Sequence, residues 1–177
     1  MKKKIIGAVS ALLLAFFCYG GSNAQVRIKG EIGAGLFSAN VGVYATIGKH
    51  HMVGATALGG FVFPALAGQI SPQYRYYISG HQSDPKGWSG SFFLNAGANY
   101  LVLNDLSARP SGDTQAKKGL ENRYYFNVGG GYELRYKKFY IRPTVNAMLP
   151  PPGKGATEML SAVYTASLLQ TSIGFRF

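Results

Sequence analysis

The sequence predicts an all-β fold, with eight antiparallel strands joined up and down and closed into a barrel. Three observations predict it. From Val26 onward, apolar and polar residues alternate with period two through most of the chain, and that period sends successive side chains to opposite faces of a strand. The last stretch, LSAVYTASLLQTSIGFRF from Leu160 to Phe177, sets Val163, Thr165, Ser167, Leu169, Thr171, Ile173, Phe175 and Phe177 on one largely apolar face. Tyr164, Ala166, Leu168, Gln170, Ser172, Gly174 and Arg176 form a smaller, more polar face. A strand at the very C-terminus needs a partner, and closure of a barrel supplies one without leaving an edge. Finally, no segment after the leader holds about 18 consecutive apolar residues, so no helical span is encoded. The chain is nevertheless 47% hydrophobic and 14% aromatic, with 24 glycines, the mixture expected of transmembrane strands that face lipid on one side and a lumen on the other.

The first 24 residues are read as a cleaved signal peptide. Lys2, Lys3 and Lys4 form its positive end, Ile5 to Tyr19 its apolar stretch, and Ser22-Asn23-Ala24 its small-residue cleavage site. That stretch is too short for a membrane anchor. Phe17 precedes the sole cysteine, Cys18, where lipidation would call for a small residue. The barrel domain is then 25–177, without cysteine and so without disulfides or thiolate chemistry. Leaving out the three leader lysines, 15 Lys and Arg face 7 Asp and Glu, a formal +8. Such a surplus draws anionic partners. For an exported chain these are lipid phosphates or anionic glycans rather than nucleic acid.

The elements follow in order. Val26–Phe37 places Val26, Ile28, Gly30, Ile32, Ala34 and Leu36 on one face, with Arg27, Lys29, Glu31, Gly33, Gly35 and Phe37 on the other. Ser38-Ala39-Asn40 reads as a turn, and a second strand carries Val41, Val43, Ala45 and Ile47. Gly48 to His51 is a tight connection. Met52–Phe63 is a third strand whose faces stay ambiguous, because Ala and Gly fill both registers. Pro64 to Gly68 breaks the pattern. Gln69–Ser79 then turns Ile70, Tyr74, Tyr76 and Ile78 outward and Gln73, Arg75 and Tyr77 inward. A turn at 80–87 leads to the clearest outward face, from Trp88 through Phe92, Leu94 and Tyr100 to Val102. An irregular segment, 104–122, holds Arg109, Lys117 and Lys118. Arg123–Tyr136 puts Asn127, Glu133 and Arg135 inward, and after Lys137-Lys138 the seventh strand puts Tyr140, Arg142, Thr144 and Asn146 inward. Pro143 sits in that strand without a ladder donor, which a bulge would absorb. Pro150-Pro151-Pro152-Gly153 precedes the last strand. Ten strands fit instead if Gly59-Gly60 hides another turn.

The chain end resembles the C-terminal assembly signal of bacterial outer-membrane β-barrels, through Gln170, Ser172, Phe175 and Phe177, with Ser172 where a Gly is usual. With the strand pattern, the whole chain resembles the small barrels of the OmpA/OmpX type. The resemblance implies an outer-membrane location, both termini and the short turns on the periplasmic side, and longer extracellular loops. It implies outer-membrane lipid, lipopolysaccharide and the barrel-assembly machinery as partners, and no cofactor. Loop 104–122, with its basic Arg109, Lys117 and Lys118, is then a surface for phosphates, adhesion or phage; the residues do not choose among these, nor do they give the oligomeric state.

Chemistry is sparse. Outer-membrane barrels that modify lipid A use a His with Ser or Asp at the outer leaflet, but His50, His51 and His81 all fall at periplasmic turns, where they read as solvated residues. The residues name no catalytic, cofactor or metal position. Trp88, Tyr136, Phe139, Phe175 and Phe177 at the inner strand ends, and Tyr100 and Tyr124 at the outer, are interfacial girdles. The inward charges are the better candidates. An eight-stranded barrel is filled by its side chains or holds one small ligand. A two-residue turn at Lys137-Lys138 sets Glu133 opposite Arg142, and Glu31 balances further arginines, Arg75 and Arg176 among them. The expectation is a plugged, non-catalytic barrel with a structural or surface-interaction role. The alternatives are a lipid-A-modifying enzyme and a soluble periplasmic barrel holding a small apolar ligand.

Overall fold

The structure, a computed structural model, describes residues 26–35, 38–62, 65–81, 86–105, 120–149 and 169–177. The leader, the loop residues Arg109, Lys117 and Lys118, and the first part of the last stretch, 160–168, lie outside them. Eight strands follow one another: β1 Val26–Gly35, β2 Ser38–Ile47, β3 His51–Val62, β4 Ala65–Tyr77, β5 Trp88–Asp105, β6 Leu120–Tyr136, β7 Phe139–Leu149 and β8 Leu169–Arg176. Each pairs antiparallel with its sequence neighbours, and β1 pairs with β8 to close the barrel. Gly59 and Gly60 lie inside β3, opposite Gly68 and Ala67 of β4, so they hide no turn, and the described strands close as a barrel of eight rather than ten.

Several boundaries differ from the sequence expectation: β5 runs on through Asn104 and Asp105 and β6 starts at Leu120, inside the segment 104–122 read as irregular, and β4 ends at Tyr77 rather than Ser79. Ser38 to Asn40 belongs to β2, where Gly35 pairs with Ser38, and Ala65 to Gly68 belongs to β4, where Val62 pairs with Ala65. Ser38, Ala39, Ala65, Ala67 and Gly68 are small, so little contrast along either segment marks it as strand. The faces of β3 are also settled: Met52 is buried, whereas Ala55, Ala57 and Phe61 point out.

The expected bulge at Pro143 is absent. The β6–β7 pairing runs from Phe126↔Leu149 to Gly131↔Thr144 and resumes at Leu134↔Ile141 in the same register. Only the two rungs around Pro143 are missing, while Pro143 still pairs with Thr171 of β8. Pro72 repeats the arrangement: it pairs with Ala55 of β3, but the ladder to β5 skips from Ile70↔Tyr100 to Gln73↔Gly97. Proline has no N–H to offer one neighbour, so the ladder opens on that side without shifting.

The distribution of side chains is inverted relative to a water-soluble barrel. Outside, Ile28 is 75% exposed, Phe92 60% and Val145 58%; inside, Arg176 and Glu133 are each 1% exposed. Aromatic pairs tie neighbouring strands on the outer wall. Trp88 meets Tyr136 at 5.1 Å between ring centroids, Tyr100 meets Tyr124 at 4.8 Å, and Phe139 meets Phe175 at 5.7 Å. Each pair sits directly across a strand boundary, where aromatic contacts contribute most to sheet stability.

At the closing seam, backbone N–H groups of Gly30 and Phe177 donate to each other's carbonyls at 2.7 and 2.9 Å. Gly174 marks a close approach nearby: a Cβ there would meet Ile32 O, Gly33 Cα at 2.6 Å and Tyr140 Oη at 2.7 Å. Backbone on the facing strand cannot yield as a side chain can. Gly174→Ala is therefore expected to destabilise the barrel by about 1–3 kcal/mol, the range of overpacking, read as a lower unfolding temperature in detergent. An unchanged temperature would show that the seam has room.

Candidate functional site

The lumen near the termini is filled by charge. Glu31 of β1, Glu133 of β6, Arg142 of β7 and Arg176 of β8 come together from elements far apart in sequence. Each residue alternates inward on its strand, and closure of β1 on β8 sets Glu31 opposite Arg176. The two-residue turn at Lys137-Lys138, with Lys137 at φ 53°, pairs Tyr136 with Phe139 and sets Glu133 level with Arg142.

The bonds form a closed, alternating ring. Arg142 donates from Nε to Glu133 Oε2 at 2.8 Å and from Nη2 to Glu31 Oε1 at 2.9 Å. Arg176 donates from Nε to Glu31 Oε1 at 2.5 Å, and its fork grips Glu133 through Nη1 at 3.0 Å and Nη2 at 2.9 Å. Both arginines thus bridge both carboxylates. Two-pronged guanidinium–carboxylate bonds are the strong kind, and their geometry is specific. Tyr77 adds a hydroxyl donor to Glu133 Oε2 at 3.0 Å. The Arg142 guanidinium lies over the Tyr140 ring, 4.3 Å from its centroid.

Arg75 stands beside this ring rather than in it. Its Nη2 donates to Tyr44 Oη at 2.7 Å and its Nε to Gln73 Oε1 at 3.2 Å, while Nη1 reaches Glu31 Oε2 only at 3.4 Å. Its guanidinium also covers the face of Tyr44, at 4.5 Å.

His81 overturns the expectation of a solvated turn residue. It follows β4 in a turn, but its side chain is 5% exposed. Its Nε2 accepts from Arg135 Nη1 at 2.9 Å and from Arg176 Nη1. Burial pushes its imidazole below the usual value, and Arg176 adds to that against the pull of Glu133. No period-two signal reveals a turn residue that folds back into the mouth. His50 and His51 behave differently: His50 Nδ1 bonds Tyr77 O and His51 Nδ1 bonds Tyr74 Oη, both at 2.7 Å. Their rings lie against Tyr74 and Tyr76. Among the described residues, the side-chain partners of the three are Tyr74, Arg135 and Arg176, with Glu133 at 3.6 Å from His81 Nε2.

Beyond the ring lies a polar chamber of about 100 Å³. Asn95 donates to Asn146 Oδ1 at 2.8 Å, Asn99 to Asn127 Oδ1 at 2.6 Å, and Gln69 to Asn99 Oδ1 at 2.8 Å. Leu101, Leu103, Tyr125 and Met148 form an apolar layer at the far end. The amide ladder carries no charge or motif, and so its grouping is not readable from the sequence. Of the chain-end residues, Gln170 and Ser172 face this chamber, whereas Phe175 and Phe177 point outward, 57% and 63% exposed.

No protein-family model matches the sequence, and no curated protein matches it. In fold the chain is similar to the N-terminal β-barrel domain of Pseudomonas aeruginosa OprF, with a TM-score of 0.55 at 10% identity. The match covers 86% of this chain and 100% of that domain. The likeness is one of fold, an eight-stranded closed barrel.

Proposed function

We propose that this chain is an outer-membrane barrel with a structural or surface-interaction role, its lumen plugged by the ion ring and without catalysis. The observation that carries this is the inverted distribution of side chains. A wall of exposed Ile, Val, Phe and Trp around a core of Arg, Glu, Asn and Ser suits a bilayer and not water. The same observation disfavours a soluble barrel for an apolar ligand, which would need its apolar residues inside. Lipid acyl chains and lipopolysaccharide are the natural neighbours of such a wall, with the assembly machinery reading the chain end.

The test is made on membrane fractions and then on purified protein. The chain is expected in the outer membrane with a mobility that changes on boiling, and to give no steady conductance in planar bilayers. A stable, large conductance would overturn the plug; recovery from the soluble periplasm would overturn the location. A deletion strain is expected to keep its lipid A mass spectrum, and a changed spectrum would favour the enzyme.

A further inference from the structure

We propose that the chamber beside the ring binds a small monovalent inorganic anion of chloride size, held next to Arg75. The charge balance points to it. The ring is neutral, two carboxylates against two guanidiniums, and Glu31 and Glu133 are the carboxylates among the described side chains. Two further buried cations exceed that balance, Arg135 (4% exposed), which lies beside Glu133 and His81, and Arg75 (5% exposed), which borders the chamber. The closest partners of Arg75, Tyr44 Oη and Gln73 Oε1, are neutral, and its one carboxylate contact is long and already shared with Arg142 and Arg176. A buried charge with only a shared, long contact to its counter-charge is costly, and a bound ion of opposite sign lowers that cost.

The chamber has the right place, size and lining. Arg75 and Arg142 both border it, together with Thr56, Gln73, Thr144 and Ser172. Hydroxyls and amides supply the neutral donors that share an anion's charge. About 100 Å³ exceeds the room one water needs and admits a halide with part of its hydration shell. A second observation points to an occupant. Asn95 Oδ1, on a residue 8% exposed, has no hydrogen-bond partner although Asn95 borders the chamber. A water hydrating the ion would donate to that oxygen.

The full barrel, in detergent at constant ionic strength, is melted in sodium chloride and in sodium gluconate, whose anion is too large for the chamber. The unfolding temperature is expected to be higher in chloride by several degrees and to rise with its concentration, as for any ligand bound by the folded state alone. Arg75→Gln, which leaves the neutral ring, should lose this chloride dependence. Glu31→Gln, which raises the surplus, should steepen it. Crystals grown in bromide should show an anomalous peak beside Arg75, and this decides the matter if a variant fails to fold. Equal melting in the two salts, or a chamber without bromide, would overturn the proposal.

Discussion

Glu133→Ala is expected to lower unfolding stability by about 3–5 kcal/mol, well beyond a surface change. The carboxylate is 1% exposed and accepts from Arg142, from both prongs of Arg176 and from Tyr77. Its removal strands the guanidiniums of Arg142 and Arg176, 6% and 1% exposed. Most of the loss comes from those stranded charges rather than from the attraction removed, and a second variant separates the two. Glu133→Met combined with Arg142→Met takes out one charge of each sign and leaves Arg176 with Glu31. That double variant should lose less than Glu133→Ala alone. Both are read from denaturant unfolding in micelles, followed by the mobility shift of the folded barrel. A loss below about 1 kcal/mol for Glu133→Ala, the scale of an exposed pair, would show that the ring does not hold the barrel.

Removal of Phe177 is expected to abolish most accumulation in the outer membrane and to send the chain to periplasmic degradation. Two effects combine. Under the proposed outer-membrane role the aromatic terminus serves as the assembly signal, and its backbone makes both hydrogen bonds to Gly30 at the seam. The ring of Phe177 also lies over Gly30, where a Cβ would come within 2.6 Å of it. Phe177→Ala keeps the two backbone bonds and removes the ring, so it distinguishes recognition from closure. If recognition dominates, both variants disappear from fractionated membranes; if closure dominates, Phe177→Ala is retained. A truncated chain present at the normal level would refute both effects.

The strands were legible wherever large apolar residues alternate with polar ones. The outward positions Trp88, Phe92, Leu94 and Val145 are examples, and all are exposed to the surroundings of the barrel. Legibility failed where side chains are small: the faces of β3, the start of β2 and the first residues of β4 carry little contrast to read. Pro143 misled in another way, because a lost donor predicts a local defect but not its form. At the site, a two-residue turn is enough to set Glu133 level with Arg142. That Arg142 and Arg176 would each span both carboxylates depends on the curvature of the whole sheet, which no local pattern carries. His81 and the amide chamber were invisible for the same reason: their grouping arises only across the lumen.

The composition of the ion ring also imposes an order of events. Glu31 stands on the first strand and Arg176 on the last, 145 residues apart, so their bond cannot form until the whole chain has emerged and β8 has reached β1. Contacts of such long separation come late in folding. Until then Glu31 and Glu133 have only part of their counter-charge, and the unfinished lumen must stay hydrated. The C-terminal strand thus acts as a latch. Its arrival seals the wall and, in the same step, delivers the guanidinium that completes the ring.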